Sequence, residues 1–449
     1  MSEPIKVRFP PSPTGFCHVG TARMAVLNYM FAKKNGGMIV FRSEDTDRER
    51  SKVEFEEDIK EQLTWLGVHW DVFERQSERL SYHTAALARL IGEDKAYVSA
   101  EPSKNDPNVL VNVVRLRNPG TVITFTDMIR GDITFDTTEL KDFVIARSTT
   151  DPLYHFAVVM DDHDMGITHV IRGEDHISNT PRQILIQEAL GFSRPFYAHY
   201  PLHLGADKSK LSKRTGDVAV KSYREKGFLP EALLNYIAHL GWTPPSEREI
   251  MSLDEMIAEF DIKDLHKSGA VFDMEKLRWY NREYLLRLSD GDFRAGVFNT
   301  LKAALEAKGL RWDESMGEKL LPIIKERISV WSDISEQVTE GEYDYFFVDP
   351  EPSAELIPQK GDDKAVTLKH LSHVYEVLHT TDEESFASPE RLKEMLWDYA
   401  TAEGRGSVLW PLRYSLSGRS KSPDPFSIAS IVGKSVTLKR IESARSKLA

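Results

Sequence analysis

The feature that most constrains this chain is a proline-rich turn, residues 10–21, between a short apolar segment and an amphipathic one. Residues 5–9 predict a buried strand, and a helical period of apolar residues predicts a helix that begins near Thr21 and ends at Lys34. The prolines hold the turn in non-helical geometry, and Gly20 lets a ligand approach the backbone closely. Because the N-terminus of a helix carries unpaired N–H groups and a partial positive charge, the turn predicts a site for the phosphates of a nucleotide.

A second stretch supports this interpretation. Residues 210–214, Lys-Leu-Ser-Lys-Arg, gather three cations and a hydroxyl between Gly205 and Gly216. Taken alone, His18 in the turn would be interpreted as a residue that caps the helix or packs against it. Two separate segments that suit phosphate oxygens favour a nucleotide site over that alternative.

Charged residues also follow the ends of predicted strands. Residues 38–41 predict a second strand with Glu44 just beyond it, and residues 167–171 predict a later strand that Arg172 follows directly. Open parallel sheets bind ligands at the carboxyl ends of their strands. Glu174 and His176 follow Arg172 closely. We therefore expect these three residues and Glu44 to meet in one crevice, although Glu44 is far from the others in sequence.

Together, the two stretches resemble the two signature sequences of class I aminoacyl-tRNA synthetases. Additional segments are similar to glutamyl-tRNA synthetases of the bacterial type, and the resemblance covers nearly the whole chain. These segments are PSPTG at 11–15, RSEDTDR at 42–48, YHF at 154–156, IRGEDH at 171–176 and VFD at 271–273.

The resemblance implies a glutamate–tRNA ligase, in which ATP activates L-glutamate and the glutamyl group passes to the 3′ end of tRNA(Glu). Diphosphate and AMP would be released, Mg²⁺ would arrive with ATP, and no zinc is expected. Catalytic roles are implied for His18, Lys210 and Lys213. The residues implied for ATP binding are Thr14, His18, Gly20, Thr21, Lys210, Leu211, Ser212 and Lys213.

The implied glutamate pocket has the chemistry that this substrate needs. Arg8 and Arg172 offer planar forks to the side-chain carboxylate, and Tyr154 offers a hydroxyl. Ser12 and Glu44 would receive the amino end. A lone arginine belongs more often to a surface salt bridge, so the pair at ligand-facing strand ends carries the interpretation.

Length and pattern predict several domains, since 449 residues exceed what one core accommodates. The pattern predicts an α/β nucleotide-binding (Rossmann-like) domain with an inserted β-rich subdomain, followed by an all-α C-terminal half, and the resemblance implies that these are the catalytic domain, an acceptor-stem-binding insertion and an anticodon-binding domain. The catalytic domain would comprise residues 1–94 and 153–205, split by the insertion at 95–152, which is shortened relative to similar proteins. A connector with the 210–214 loop would occupy 206–290, and the helical domain 291–449. Residues 156–160 are expected to form a buried strand.

Charge is unevenly distributed along the chain. The net charge is −12, but residues 405–449 hold nine Lys or Arg against two acids and are therefore +7, leaving −19 for the rest. A basic segment on an acidic protein predicts contacts with tRNA phosphates, for which we single out Arg413, Arg419 and Lys421. The alternative is a solvated helix face.

The single cysteine, Cys17, excludes an internal disulfide and a four-cysteine zinc site. Carboxylates at 161–164 could bind a metal ion, although carboxylates in a turn more often bond to the backbone. With no signal sequence and no apolar run long enough for a membrane span, we expect a cytoplasmic monomer without a membrane partner.

Several alternatives remain open at this point. The enzyme could also charge tRNA(Gln), or be a glutaminyl-tRNA synthetase, since Pro10-Pro11 is a pairing often found there. A small-molecule adenylyltransferase and a tRNA-modifying glutamyl transferase share the catalytic corner but would not explain the helical half. A non-enzymatic tRNA-binding protein would be expected to lack His18 or Lys213, and both are present.

Overall fold

The computed structural model describes residues 4–103, 106–205 and 219–449. The chain divides into two units, Met1–Tyr284 and Leu285–Ala449. The strands are β1 Lys6–Phe9, β2 Met38–Ser43, β3 Val72–Arg75, β4 Ala96–Pro102, β5 Leu110–Leu116, β6 Val122–Asp127, β7 Gly131–Asp136, β8 Phe143–Ser148, β9 Asp151–Pro152, β10 His169–Gly173, β11 Phe196–Tyr200, β12 His203–Leu204 and β13 Ala270–Val271.

Helices occupy the first unit between these strands and make up the second unit. In the first part of the chain they are α1 Val19–Lys34, α2 Val53–Trp65, α3 Leu80–Gly92, α4 Tyr154–Asp164, α5 Thr180–Leu190, α6 Val220–Glu225, α7 Pro230–His239, α8 Leu253–Glu259 and α9 Met274–Arg287. They continue as α10 Asp290–Ala307, α11 Glu314–Arg327, α12 Ser332–Thr339, α13 Asp344–Phe347, α14 Lys364–Thr380, α15 Glu383–Phe386, α16 Pro389–Glu403, α17 Arg405–Ser417, α18 Pro425–Val432 and α19 Lys434–Leu448.

A layer of mostly parallel strands supports the first unit. Strands β1, β2 and β3 form one parallel ladder, and β10 and β11 form another. Strand β1 lies beside β10, because the backbone N–H of Thr168 donates to the carbonyl of Lys6 at 2.9 Å. The carboxyl ends of β1, β2, β10 and β11 therefore share one edge. This is the edge where the sequence predicted that Glu44 and Arg172 would meet.

Residues 95–152 contribute to two different sheets. Strands β4, β5, β8 and β9 form an antiparallel sheet, in agreement with the expected β-rich character of the segment. The hairpin of β6 and β7 instead extends the ladder of β10 and β11, with Tyr197 of β11 paired in parallel with Asp127 of β6. Among the described residues of this segment, only the β6–β7 hairpin thus belongs to the sheet that carries the ligand-binding edge.

The expected strand at 156–160 is wrong, because these residues lie in helix α4. All residues from Phe156 to Asp162 are buried, so the helix is apolar around its whole circumference up to Met160. A short unbroken apolar run fits a buried helix as well as a buried strand, and periodicity cannot separate the two. The expected turn at 161–164 is consequently also helical; the carboxylates of Asp161 and Asp162 are buried in the unit, whereas Asp164 is exposed.

The second unit is helical throughout its regular structure. Leu320, Leu371 and Leu392 are fully buried, as their helical spacing predicted. Helix α14 packs against α17 and α19, and α17 packs against α16 and α18. Across the described ranges, no helix combines the length and apolar character that crossing a lipid bilayer requires.

Candidate active site

A cavity of about 590 Å³ opens at the shared edge, between the N-terminus of α1 and the ends of β1, β2, β10 and β11. It brings together every candidate residue that precedes the 210–214 loop. These lining residues are Arg8, Ser12, Thr14, His18, Gly20, Thr21, Glu44, Tyr154 and Arg172. Residues so distant in sequence meet here because the parallel strands end at one level.

Helix α1 begins at Val19, two residues earlier than expected, and His18 is its N-cap. The Nδ1 atom of His18 accepts a hydrogen bond from the backbone N–H of Thr21 at 3.1 Å. A Cβ at position 20 would lie 3.0 Å from the imidazole, so glycine keeps the space beside this ring open. With no acidic residue in the first turn of the helix, the corner suits an anion.

Arg172 is the most unusual cation of the site. It is 4% exposed, its Nε donates to His199 Nε2 at 3.1 Å, and its Nη2 donates to Thr180 Oγ1 at 2.9 Å. Its Nη1 is buried without a hydrogen-bond partner in the described part of the chain. Burial lowers the pKa of Arg172, and the nearby Arg8 adds to that effect. An anionic ligand in the cavity would supply both the missing hydrogen-bond partner and a counter-charge for the buried guanidinium.

Arg8 is held differently, because a carboxylate already compensates its charge. Its Nε donates to Asp162 Oδ1 at 3.2 Å, and its Nη1 lies 3.5 Å from the carbonyl oxygen of Ile171 on the neighbouring strand. Asp162 also accepts from Arg42 Nη1 at 2.7 Å. Helix α4 therefore supplies the carboxylate that fixes two buried arginines, and this is the observed role of the acidic run that could have been a metal site.

Glu44 reaches the cavity from the end of β2 and accepts a hydrogen bond from Arg42 Nη2 at 3.1 Å. Burial raises the pKa of Glu44 to about 7, although Arg42 acts in the opposite direction. Arg42 shares its charge between two carboxylates and lies closer to Asp162, which leaves Glu44 only partly compensated. A bound ammonium group would stabilise the ionised form of Glu44.

Tyr154 stands at the N-terminus of α4 with its hydroxyl 3.4 Å from His176 Nδ1. Desolvation by the surrounding pocket wall raises the pKa of Tyr154 to about 12, although 38% of the residue is exposed, so the hydroxyl stays protonated and can donate a hydrogen bond to a ligand. Burial also lowers the pKa of His176 to about 4, helped by the charge of Arg172. The pocket therefore offers neutral donors beside its two arginines.

Sequence reasoning missed part of the lining. Arg23, on α1, is fully buried and donates to the carbonyl of Pro201 at 2.6 Å and to that of Leu240 at 2.5 Å. Arg23 shares a helix face with the apolar residues Val26 and Met30. A charged residue on an apolar helix face is the sequence signal that could have identified Arg23 as a buried cation. Of the two residues expected beside Arg172, His176 lines the cavity, whereas Glu174 does not line it and pairs with Arg130. The other lining residues not predicted as site residues are Pro10, Pro11, Met24, Gly173, Asp175, Tyr200, Pro201 and Leu202.

Lys210, Leu211, Ser212 and Lys213 lie outside the described residues, so their predicted roles stay predictions. The basic segment of the second unit is described. Arg413 donates to the carbonyl of Ser420 at 3.0 Å, Arg419 donates to that of Gly341 at 3.0 Å, and Lys421 is exposed. Much of the positive charge is therefore used to bond the backbone of its own unit.

Known proteins match the chain over its whole length. The model of the tRNA synthetases class I (E and Q), catalytic domain, matches residues 4–106 and 101–279, and that of an anticodon binding domain matches residues 276–445. A glutamate–tRNA ligase of Aquifex aeolicus is 39% identical, with 99% of each chain covered. Glutamate–tRNA ligase 1 of Syntrophus aciditrophicus is 37% identical, covering 98% of this chain and 96% of its own.

Solved structures agree with the sequence matches. The crystal structure of a glutamate tRNA ligase from Elizabethkingia meningosepticum in complex with its amino acid superposes with a TM-score of 0.85, at 32% identity and full coverage of both chains. The glutamate-tRNA synthetase of Elizabethkingia anophelis gives 0.83, also at 32% identity, covering 99% of this chain and all of its own. With the resemblance of its motifs borne out over both halves of the chain, the protein belongs to the glutamate–tRNA ligases, within the class I tRNA synthetases.

Proposed function

We propose that the chain activates L-glutamate with ATP and transfers it to tRNA(Glu) at the described cavity. In the first step a carboxylate oxygen of glutamate attacks the α-phosphorus, and diphosphate leaves. In the second step a terminal ribose hydroxyl of tRNA attacks the carbonyl carbon of the adenylate, and AMP leaves. The observation that most supports this proposal is Arg172, a buried cation that lines the cavity and has neither a hydrogen-bond partner for Nη1 nor an ion pair in the described residues.

The side-chain carboxylate of glutamate would occupy the position next to Arg172, with Arg8 and Tyr154 as further partners. Glu44 and Ser12 would receive the ammonium group. The α-carboxylate then stays free to react, since the cations bind the other end of the substrate. This assignment is supported by the cavity lining and by the absence of a compensating carboxylate for Arg172 in the residues described.

ATP would bind at the N-terminus of α1, with its phosphates near His18, Gly20, Thr21 and Thr14. In-line displacement at phosphorus needs positioning and neutralisation of growing charge, and no protein nucleophile. Lys210, Leu211, Ser212 and Lys213 are proposed to complete the nucleotide site, with the two lysines acting on the diphosphate side.

Mg²⁺ is proposed to accompany ATP. Within the described ranges, no group of three or more His, Cys, Asp or Glu side chains is arranged to hold a metal ion. Mg²⁺ at nucleotides usually binds mainly phosphate oxygens and keeps several waters, so the phosphates of ATP would supply most of its ligands other than water.

For tRNA, we propose that residues 95–152 meet the acceptor stem, that 206–290 form a connector, and that the helical domain from residue 291 receives the anticodon. The match of residues 276–445 to an anticodon binding domain supports the last assignment. A charging assay with both tRNAs distinguishes an enzyme that uses only tRNA(Glu) from one that also uses tRNA(Gln).

The test is a charging assay with the purified full chain, ATP, Mg²⁺ and either radiolabelled glutamate or radiolabelled glutamine. Each amino acid is combined with tRNA(Glu) and with tRNA(Gln). The proposal predicts glutamyl-tRNA(Glu) with stoichiometric AMP; glutamate on both tRNAs identifies a non-discriminating enzyme. Preferential esterification of glutamine would overturn the proposed substrate.

A further inference from the structure

A buried line of side chains joins three neighbouring strands behind the cavity. Asp127 ends β6, His199 lies in β11, and Arg172 lies in β10. Asp127 is 1% exposed and His199 is fully buried. The three residues therefore connect the hairpin of residues 122–136 to the cation that faces the cavity.

The hydrogen bonds fix which nitrogen of His199 carries a proton. Asp127 Oδ1 accepts from the backbone N–H groups of Ile129 and Arg130, both at 3.0 Å. Asp127 Oδ2 accepts from the backbone N–H of His199 at 3.0 Å and faces His199 Nδ1 at 2.7 Å. A carboxylate that accepts four bonds requires a proton on Nδ1. The Nε2 atom of a neutral ring is then an acceptor.

That acceptor is used by Arg172. Its Nε–H donates to His199 Nε2 at 3.1 Å, while its Nη2 donates to Thr180 Oγ1 at 2.9 Å. Two tethers on one side of a planar guanidinium fix its plane. The remaining nitrogen, Nη1, is the one without a partner in the described residues, and Arg172 lines the cavity.

We propose that Asp127 and His199 are positioning residues for substrate selection, and that they hold the guanidinium of Arg172 in the plane that receives the side-chain carboxylate of glutamate. Asp127 holds His199 in the neutral tautomer protonated on Nδ1, and His199 in turn accepts from Arg172. The proposal rests on the proposed function, since it assigns Arg172 to that carboxylate. It also gives the hairpin of β6 and β7 a role in amino-acid selection.

The charges around His199 favour the neutral ring. Arg172 and Arg130 face it as cations, Asp127 is its one contacting anion among the described residues, and Tyr197 and His176 lie nearby. Burial lowers the pKa of His199, and Arg172 contributes in the same direction against Asp127. Burial acts to raise the pKa of Asp127, but the hydrogen bonds from His199 and from the turn backbone outweigh it and lower that pKa. A protonated ring would lose its bond from Arg172 and repel it.

A double-mutant cycle tests the proposal by ATP–diphosphate exchange in the presence of tRNA. The variants are His199→Phe, Arg172→Gln and the two combined. His199→Phe should raise the KM for glutamate about 10- to 100-fold, the range expected when a binding group is misplaced by about an ångström, with little change in the KM for ATP. In the Arg172→Gln background, the same change should have no further effect. His199→Gln, whose amide oxygen can accept from Arg172, should recover part of the loss.

The matched control is His83→Phe. His83 is also buried and paired with an aspartate, at 2.7 Å from Asp161, but it does not line the cavity or contact Arg172. This control should leave the KM for glutamate unchanged. Equal effects of the two histidine variants, or additive effects in the cycle, would overturn the positioning role.

Two outcomes separate this proposal from the proposed function. If Arg172→Gln is folded and leaves the KM for glutamate unchanged, the assignment of Arg172 to the substrate is refuted. If Arg172→Gln is damaging while His199→Phe is silent, only the positioning role is refuted. Should the His199 variants fail to fold, ¹⁵N imidazole shifts of the unmodified protein decide, since the proposal requires a neutral ring protonated on Nδ1 and any other state contradicts it.

Discussion

Replacing Arg172 by glutamine gives the sharpest expectation about substrate choice. Glutamate and glutamine have nearly the same shape, so the pocket must separate them by charge. Arg8 and Arg42 are compensated by Asp162, whereas Arg172 is 4% exposed and has no ion pair in the described ranges. Its natural counter-charge is therefore the ligand. Glu174, the nearest acidic residue in sequence that could have braced it, is paired with Arg130 instead.

The size of the effect follows from this burial. Truncating one partner of a buried, hydrogen-bonded charge pair commonly costs about 2–5 kcal/mol, or about 30- to several-thousand-fold in a specificity constant. Arg172→Gln should lose that much kcat/KM for glutamate and much less for glutamine, whose amide can bond to the new side chain. The assay is ATP–diphosphate exchange with each amino acid in turn, with tRNA present.

The matched control is Arg115→Gln. Arg115 is an arginine of the same unit that pairs with Glu101 on the antiparallel sheet and does not line the cavity. It should leave the ratio of the two specificity constants unchanged. If Arg172→Gln is folded by circular dichroism and keeps the wild-type ratio of glutamate to glutamine, the reasoning about charge selection is refuted.

Three further predictions concern other parts of the site. Because the pKa of Glu44 is raised to about 7, its ionised form is lost as the pH falls below 7; glutamate affinity should then drop by up to about tenfold per pH unit, and Glu44→Gln should bind weakly with a flat pH profile by equilibrium titration. Lys213→Ala should reduce the exchange rate by about 10²–10³ with little change in ATP affinity, as for loss of a transition-state donor, and near-normal exchange would remove Lys213 from the mechanism. In the basic segment, Lys421→Ala should flatten the salt dependence of tRNA binding by roughly 0.7–0.9 log units per lost contact, and an unchanged salt slope contradicts the contact. Arg419→Ala should instead lower the free energy of unfolding by about 1.5–3 kcal/mol, because it removes the charged donor of a hydrogen bond to the carbonyl of Gly341.

Much of the site could be predicted because its signals are local. The turn at 10–21, the helix after it and the charged residues beyond strand ends depend on proline and glycine geometry and on hydrophobic period. These features placed Arg8, Glu44 and Arg172 correctly at one edge of a parallel sheet, and the structure confirms that they line one cavity. Helix α1 begins at Val19 rather than near Thr21, because His18 supplies its N-cap.

The remaining features depend on tertiary contacts that no local pattern encodes. The run at 156–160 is apolar on every side, so its period fits both a helix and a strand, and only burial between other elements decides for α4. Asp127 and His199 are partners because β6 pairs with β11. The paired residues Asp127 and Tyr197 are 70 residues apart in sequence, and the alternation of apolar residues does not specify such a pairing. The compensation of Arg8 by Asp162 likewise required the position of α4.

The basic segment shows a different limit. Counting charges gave +7 for residues 405–449, yet Arg413, Arg419 and Arg440 donate to backbone carbonyls within their own unit. A sequence contains the number of cations but not their partners. Exposed residues such as Lys421 are therefore the better candidates for phosphate contacts.

The most direct test of the central claim is a crystal structure of the full chain with an unreactive analogue of glutamyl adenylate. The measured quantity is the distance from the side-chain carboxylate of the analogue to Arg172 Nη1. We expect a charge-assisted hydrogen bond of about 2.7–2.9 Å, with His199 and Thr180 still holding the other nitrogens of the guanidinium. A carboxylate bound by other cations, with Nη1 of Arg172 still unpartnered, would contradict the account.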